Sequence, residues 1–177
     1  LYKLGVPPDL IVGDLDSILP GVMEYYAGQG VQLLRYPPEK DDTDQRLALR
    51  AAMELGATEV ILLGSIGNRL DHTLGSLSVL AYLQQNGVRG VIMDEYNEIT
   101  LSKGEAIIRG EIGGQVSLLP LTTSVTGIST ENLQYSLQDA VFELGNPYGI
   151  SNVLTAPEAK VTFKEGLLLV IKSRDSR

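Results

Sequence analysis

The sequence predicts an α/β protein in two parts: a Rossmann-like domain with a parallel sheet over residues 1–98, then a small all-β sandwich or barrel over residues 99–177. Three observations predict it. Strand-length apolar runs alternate with helical patterns as far as Met93. From Ile99 onward only short strand-like runs remain, spaced by Gly, Pro, Asn and Ser. The 177 residues, 44% of them hydrophobic, suffice for one large domain or two small ones with real cores.

Each element has its own signal. Asp9-Leu10-Ile11-Val12-Gly13 reads as a short buried strand ending in a turn. Residues 21–30 carry Val22, Met23, Tyr25 and Tyr26 at helical spacing, and residues 31–36 form a second strand stopped by Pro37-Pro38. Asp42 or Thr43 can cap the next helix, where Leu47, Ala51 and Leu55 make one apolar stripe and Gly56 supplies the stop. Residues 59–63 read as a buried strand. Asp71 caps a helix with Leu74, Leu77 and Ala81 on one face and Gly87 at its end, and residues 90–93 form another strand. In the second half, strands are expected at 115–119, 133–137, 161–163 and 167–172.

Composition narrows the function. The net charge is −8, with 14 Lys and Arg against 22 Asp and Glu and no basic cluster, which argues against a nucleic-acid binder. With no cysteine there is neither a disulfide framework nor a thiolate metal site, which is compatible with the cytoplasm. No apolar run approaches the ~20 residues of a membrane helix.

Three clusters fall at strand ends or helix starts, which share one crevice in a doubly wound sheet. Gly13-Asp14-Leu15-Asp16-Ser17 places two carboxylates just past a strand, where they can reach a common hard cation such as Mg²⁺. An Asp-x-Asp turn can equally be a solvated loop. Lys40-Asp41-Asp42-Thr43-Asp44-Gln45 puts three aspartates at a helix start. Capping and the helix dipole account for one or two of them. Neighbouring like charges at ~4 Å repel by about 4 kcal/mol at an effective dielectric of ~20, a cost that a bound cation removes. Gly64-Ser65-Ile66-Gly67-Asn68-Arg69-Leu70-Asp71-His72 joins a strand to a helix N-terminus. Its glycines permit close backbone approach, the helix start offers N–H groups to an anion, and Arg69 adds a planar fork for phosphate oxygens. It is neither a P-loop nor a Gly-x-Gly-x-x-Gly motif. Acidic clusters beside a phosphate loop are compatible only with a cation between them. Together they point to phosphoryl or pyrophosphoryl transfer from ATP.

These segments, in this order, resemble the thiamine pyrophosphokinase family. The likeness starts with Pro8 to Ser17, Lys40 to Asp44 and Gly64 to His72. It continues through Val116-Ser117-Leu118-Leu119-Pro120-Leu121, Leu133-Gln134-Tyr135-Ser136-Leu137 and Gly149-Ile150-Ser151-Asn152. The resemblance implies an ATP- and Mg²⁺-binding catalytic domain, a β-rich thiamine-binding domain, and a homodimer with active sites between subunits. It implies transfer of pyrophosphate from ATP to the hydroxyethyl oxygen of thiamine, giving thiamine diphosphate and AMP. By matching positions, Asp14, Asp16 and Asp44 look like metal ligands and, with Arg69 and Asp71, the catalytic set. Asp41, Thr43, Gln45, Ser65, Gly67, Asn68, Arg69 and His72 look like the nucleotide site. Tyr135, Ser151 and Asn152 look like the thiamine end. Family members carry an earlier strand with its own Asp-Gly motif, so the resemblance implies that the domain's first strand lies outside this sequence. Glu131-Asn132 replaces a common Gly, and since Asn tolerates a left-handed backbone the turn is expected to survive. Two other readings compete. A phosphatase of the haloacid dehalogenase type would use Asp14 as nucleophile, and a non-catalytic sensor would bind ATP without turnover.

Overall fold

The computed structural model describes residues 1–37 and 42–174, which fall into two compact units, Leu1–Thr58 and Glu59–Arg177. In the first unit a 3-10 turn at Tyr2–Leu4 precedes strand β1 (Leu10–Gly13), helix α1 (Pro20–Gly28), strand β2 (Gln32–Arg35) and helix α2 (Asp44–Glu54). β1 and β2 pair in parallel, Leu10 opposite Gln32 and Gly13 opposite Arg35. α1 is the crossover that parallel pairing requires, and Pro20 opens it where a missing N–H is harmless. α2 lies on β1 and buries Leu47, Leu49 and Ala51. Leu55, expected on the same stripe, is 79% exposed, because it is the C-cap and the chain leaves the helix there.

The second unit opens with β3 (Glu59–Leu63), α3 (Leu70–Gln85) and β4 (Arg89–Met93). It continues with β5 (Asn97–Ser102), β6 (Glu105–Arg109), β7 (Gln115–Pro120), β8 (Ser124–Glu131), β9 (Ala140–Glu143), β10 (Asn152–Val153), β11 (Glu158–Thr162) and β12 (Leu168–Ser173). One sheet has the order β10-β7-β12-β5-β4-β3 and the other the order β6-β11-β8-β9. Their inward residues form a single core that includes Ile108, Val116, Leu118, Val125, Ile128, Phe142, Val161 and Leu168.

This arrangement overturns the expected parallel Rossmann-like sheet. The described residues are mostly β, with three α-helices. β1 and β2 form a two-stranded sheet of their own, and β3–β4 is the single parallel pair in a six-stranded sheet that is otherwise antiparallel. The reason lies at Asp94–Tyr96. Three residues are too few for a crossover, so the strand after β4 must return antiparallel. Asp94 Oδ1 fastens that turn by accepting from the backbone N–H groups of Tyr96 (2.8 Å) and Asn97 (2.6 Å).

Three smaller expectations also change. β3 is an edge strand rather than a buried one, with Ile61 and Leu63 exposed. α3 buries Ser76, Val79, Leu80 and Leu83, whereas Leu74 is exposed. Gly90 of β4 makes room for that face: a Cβ there would lie 2.7 Å from Leu83 Cδ1 and 2.8 Å from Leu80 Cδ2, so both buried leucine side chains would have to shift. Residues 133–137 form no strand and make a single isolated bridge, Leu133 to Leu154. Asn132 adopts φ 60° and donates its side-chain amide to Glu158 O at 2.9 Å, so asparagine keeps the left-handed turn.

Candidate active site

Within the first unit the chemistry gathers at the end of β1. Gly13 has φ 151°, a conformation that side chains disfavour, and a Cβ on it would meet Asp44 Cγ at 3.1 Å and Oδ1 at 3.2 Å. The carboxylate of Asp44 therefore lies against the Gly13 backbone, with Asp14 next in the chain. Leu15 follows at φ 65°, where a leucine pays roughly 1–2 kcal/mol. That kink turns the amide of Asp16 back onto Asp14 Oδ1 at 3.2 Å. Asp14 is half-buried, while Asp16 and Asp44 are exposed.

Thr43 caps α2 as expected: its Oγ1 accepts from the Arg46 backbone N–H at 3.3 Å. Asp42 Oδ1 accepts from the Thr43 N–H at 3.1 Å and pairs with Arg46 Nε at 3.6 Å. Asp42 thus serves the helix start, and Asp44 is the carboxylate presented to β1. Gln45 is half-buried in the first turn. Asp41 and Lys40 lie outside the described residues. Among the described residues no group of three or more acidic or histidine side chains is gathered closely enough to hold a metal ion. Gly13→Ala should damage this corner, because the new methyl displaces Asp44 and sits at an unfavourable φ. A stability loss of about 1–3 kcal/mol is expected in a urea melt.

In the second unit the loop after β3 turns at Gly64, φ 71°, and leads into α3. The N-cap is Arg69, not Asp71, and it makes no side-chain cap. Asp71 sits instead within the first turn, where it faces Arg69: Nε donates to Oδ1 at 3.3 Å and Nη2 to Oδ2 at 2.6 Å. These bonds above all hold the Asp71 carboxyl below its ordinary value of 3.8 and raise the Arg69 pKa. With a lowered folded-state pKa, the pair's contribution is present above about pH 4 and fades as pH falls through the lowered value. Arg69→Met should return the Asp71 titration, followed by carboxyl NMR shifts, toward the ordinary value. Ser65 is half-buried, and Gly67, Asn68 and His72 are exposed.

Thr73 went unnoticed in the sequence. Its Oγ1 accepts from the Gly67 N–H at 3.4 Å and donates to Arg69 O at 3.3 Å, tying the loop to the first turn of α3. The signal was available, since Thr73 lies four residues beyond Arg69, the spacing at which a helical threonine reaches back to a carbonyl.

The third group lies at the β7–β10 end of the larger sheet. Tyr135 is 62% exposed, and Asn152, 6% exposed, bonds to its backbone N–H and carbonyl. Ser151 has φ 61° and donates its backbone N–H to Ser117 Oγ at 3.1 Å. Ser117 lies in a segment that carries the family resemblance, but nothing in the sequence signalled this contact.

Two family models match the chain in tandem. The thiamin pyrophosphokinase catalytic domain matches residues 1–92, and the thiamin pyrophosphokinase vitamin B1 binding domain matches residues 97–168. The chain is similar to thiamine pyrophosphokinase of Bacillus subtilis (strain 168), 29% identical over 177 residues that span 99% of this chain and 83% of the relative. It is also similar to thiamine pyrophosphokinase 1 of Oryza sativa subsp. japonica, 26% identical over 98% of this chain and 69% of the relative. Among solved structures, thiamine pyrophosphokinase from Bacillus subtilis superposes with a TM-score of 0.90 at 27% identity, covering 99% of this chain and 83% of that one. A thiamin pyrophosphokinase family protein from Enterococcus faecalis gives 0.82 at 29% identity, covering 99% and 84%.

Proposed function

The chain belongs to the thiamin pyrophosphokinase family, and from that premise we infer that it transfers the terminal pyrophosphate of ATP to the hydroxyl of thiamine, giving thiamine diphosphate and AMP. It is an enzyme, a transferase of thiamine diphosphate biosynthesis, and ATP and thiamine are its substrates. The phosphatase and sensor readings give way to this one.

In the reaction the hydroxyl oxygen of thiamine forms a bond to the β-phosphorus. The bond from that phosphorus to the oxygen bridging the α- and β-phosphates breaks, and AMP departs with the electron pair. The hydroxyl proton passes to solvent or to a carboxylate. Asp71, in its bidentate contact with Arg69, is held weakly basic and serves better to aim the guanidinium. Arg69, Ser65, Gly67, Asn68 and His72 line the proposed phosphate end, together with the N–H groups at the start of α3. Thr43, Gln45 and Asp41 are the nucleotide contacts proposed in the first unit.

The proposal extends to Mg²⁺, with Asp14, Asp16 and Asp44 as its ligands. The observation that supports it is the Asp44 carboxylate lying against Gly13, immediately before Asp14. These are hard oxygen donors, and Mg²⁺ commonly takes one or two carboxylates together with substrate phosphates. They fit an ion that arrives with the nucleotide better than a closed cage. When bound, Mg²⁺ neutralises charge on the phosphates. Tyr135 and Ser151 are the proposed thiamine contacts, with Asn152 beside them. We propose residues 1–98 as the nucleotide part and 99–177 as the thiamine part, a division supported by the two matched ranges. A cytoplasmic homodimer with active sites between subunits completes the proposal.

A coupled assay for AMP tests the function. AMP should appear from ATP and Mg²⁺ only when thiamine is added. Inorganic phosphate without thiamine, or binding without turnover, would refute it.

A further inference from the structure

We propose that Asn152 does not touch thiamine but is a positioning residue, whose buried carboxamide sets the place of the Tyr135 ring. The proposal rests on the reading of Tyr135 as a thiamine contact.

The geometry is that of a peptide group imitated by a side chain. Asn152 Oδ1 accepts from the Tyr135 backbone N–H at 3.0 Å, and Asn152 Nδ2 donates to Tyr135 O at 2.8 Å. Oδ1 also accepts from the Val153 N–H at 2.9 Å. One side chain thus satisfies both main-chain groups of Tyr135, as the next residue of a partner strand would. The carboxamide lies at the end of a short run of backbone pairing. Leu133 bridges Leu154, and Gln134 donates its N–H to Val153 O at 2.9 Å. The run of main-chain pairing stops before Tyr135, and the side chain of Asn152, whose backbone pairs with Val116 of β7, meets the Tyr135 main chain instead. Ser151, at φ 61°, then turns the chain away. The side chain of Asn152 takes over where the main-chain pairing ends.

Burial separates the two roles. Asn152 is 6% exposed, and both polar atoms of its carboxamide are engaged, so it has little surface to offer a ligand. Tyr135 is 62% exposed although its backbone is held on both sides. A large ring kept in solvent on a fixed main chain is a presented aromatic face, suited to a flat heteroaromatic acceptor. A pre-set ring avoids the ordering cost that a free side chain and loop would meet on binding.

The test uses the purified full chain. Asn152→Asp keeps the size and both acceptor contacts but places a carboxylate oxygen against the carbonyl of Tyr135. We expect KM for thiamine to rise at least tenfold, with KM for ATP unchanged within twofold. Tyr135→Ala should raise KM for thiamine similarly, and the double variant should be no worse than the poorer single one. If Tyr135→Ala leaves KM for thiamine unchanged, the reading of Tyr135 fails. If Tyr135→Ala raises it and Asn152→Asp does not, the positioning role alone fails. A full additional effect of Asn152→Asp in the Tyr135→Ala background would show that Asn152 acts on its own and would overturn the proposal. Should Asn152→Asp not fold, hydrogen exchange of the parent protein decides. The amide of Tyr135 should be protected at least a hundredfold despite the exposure of its residue, and free exchange there would overturn the proposal.

Discussion

Asp14→Asn is expected to lower kcat by at least about 100-fold while the protein stays folded, the loss typical when a group aimed at developing charge is removed. The substitution keeps the size of the side chain. Asparagine can still accept from the Asp16 N–H, so the turn through Leu15 at φ 65° should survive. Only the negative charge goes. The chain, of net charge −8, should stay folded with the secondary structure of the parent by circular dichroism. A structural role would predict lost stability instead. Asp44→Asn should behave in the same way. If both carboxylates serve one cation, the double variant should fall well short of the product of the single losses. AMP release under saturating ATP and thiamine measures the effect, and Asp14→Asn retaining activity within threefold of the parent would sink the metal assignment.

Gly149→Ala should have the largest effect on stability. A Cβ at this position would press into Leu118 O and lie 2.6 Å from Phe142 Cε2. Neither neighbour can yield. Leu118 is central in β7, and its N–H donates to Gly149 O at 2.9 Å. Phe142 is 1% exposed and packed edge-on by Tyr148, with ring centroids 5.7 Å apart. Overpacking at such a site costs about 3 kcal/mol, or roughly 6–12 °C in melting temperature for a chain of this size. Gly149 also precedes Ser151 and Asn152, so the surviving folded fraction should bind thiamine poorly. Gly28→Ala is the control. It closes α1 with nothing within 4 Å of the new methyl and should leave the melting temperature unchanged. Gly149→Ala melting together with the parent would overturn the packing argument.

The contrast between these glycines shows where sequence reading stops. Gly13 and Gly149 lie in motifs that the sequence marks, yet their burdens differ. One is approached by a carboxylate at the start of α2 and the other by the carbonyl of a strand. The strands β1, β2, β3 and β4 and the three α-helices of the described residues were legible because hydrophobic period, the Pro37-Pro38 stop, the Thr43 cap and flanking glycines act over a few neighbouring residues. The buried face of α3 was not legible, because apolar residues occur on more than one side and the fit against another element, with Leu80 and Leu83 over Gly90, is set by tertiary packing. The parallel sheet was misread for a similar reason. Two true parallel pairs are present among the described residues, but membership of a sheet depends on which edge each strand meets, and the tight Asp94 turn ties β4 to the antiparallel half.

The site divides along the same line. Residue chemistry at short spacing marked Asp14, Asp16, Asp44 and Arg69, whereas Tyr135, Ser151 and Asn152 entered through the family resemblance. Neither could distinguish a residue that meets a ligand from one that holds another residue in place. Asn152 and Tyr135 are separated by 17 positions, and Arg69 and Asp71 by two, yet both pairings depend on side-chain direction. By itself the sequence determined the family, the reaction and most of the local elements, which are carried by short runs of residues. The tertiary structure decided sheet membership, the face of α3, the approach of Asp44 to Gly13 and the grip of Asn152 on Tyr135, because each depends on contact geometry that no local pattern encodes.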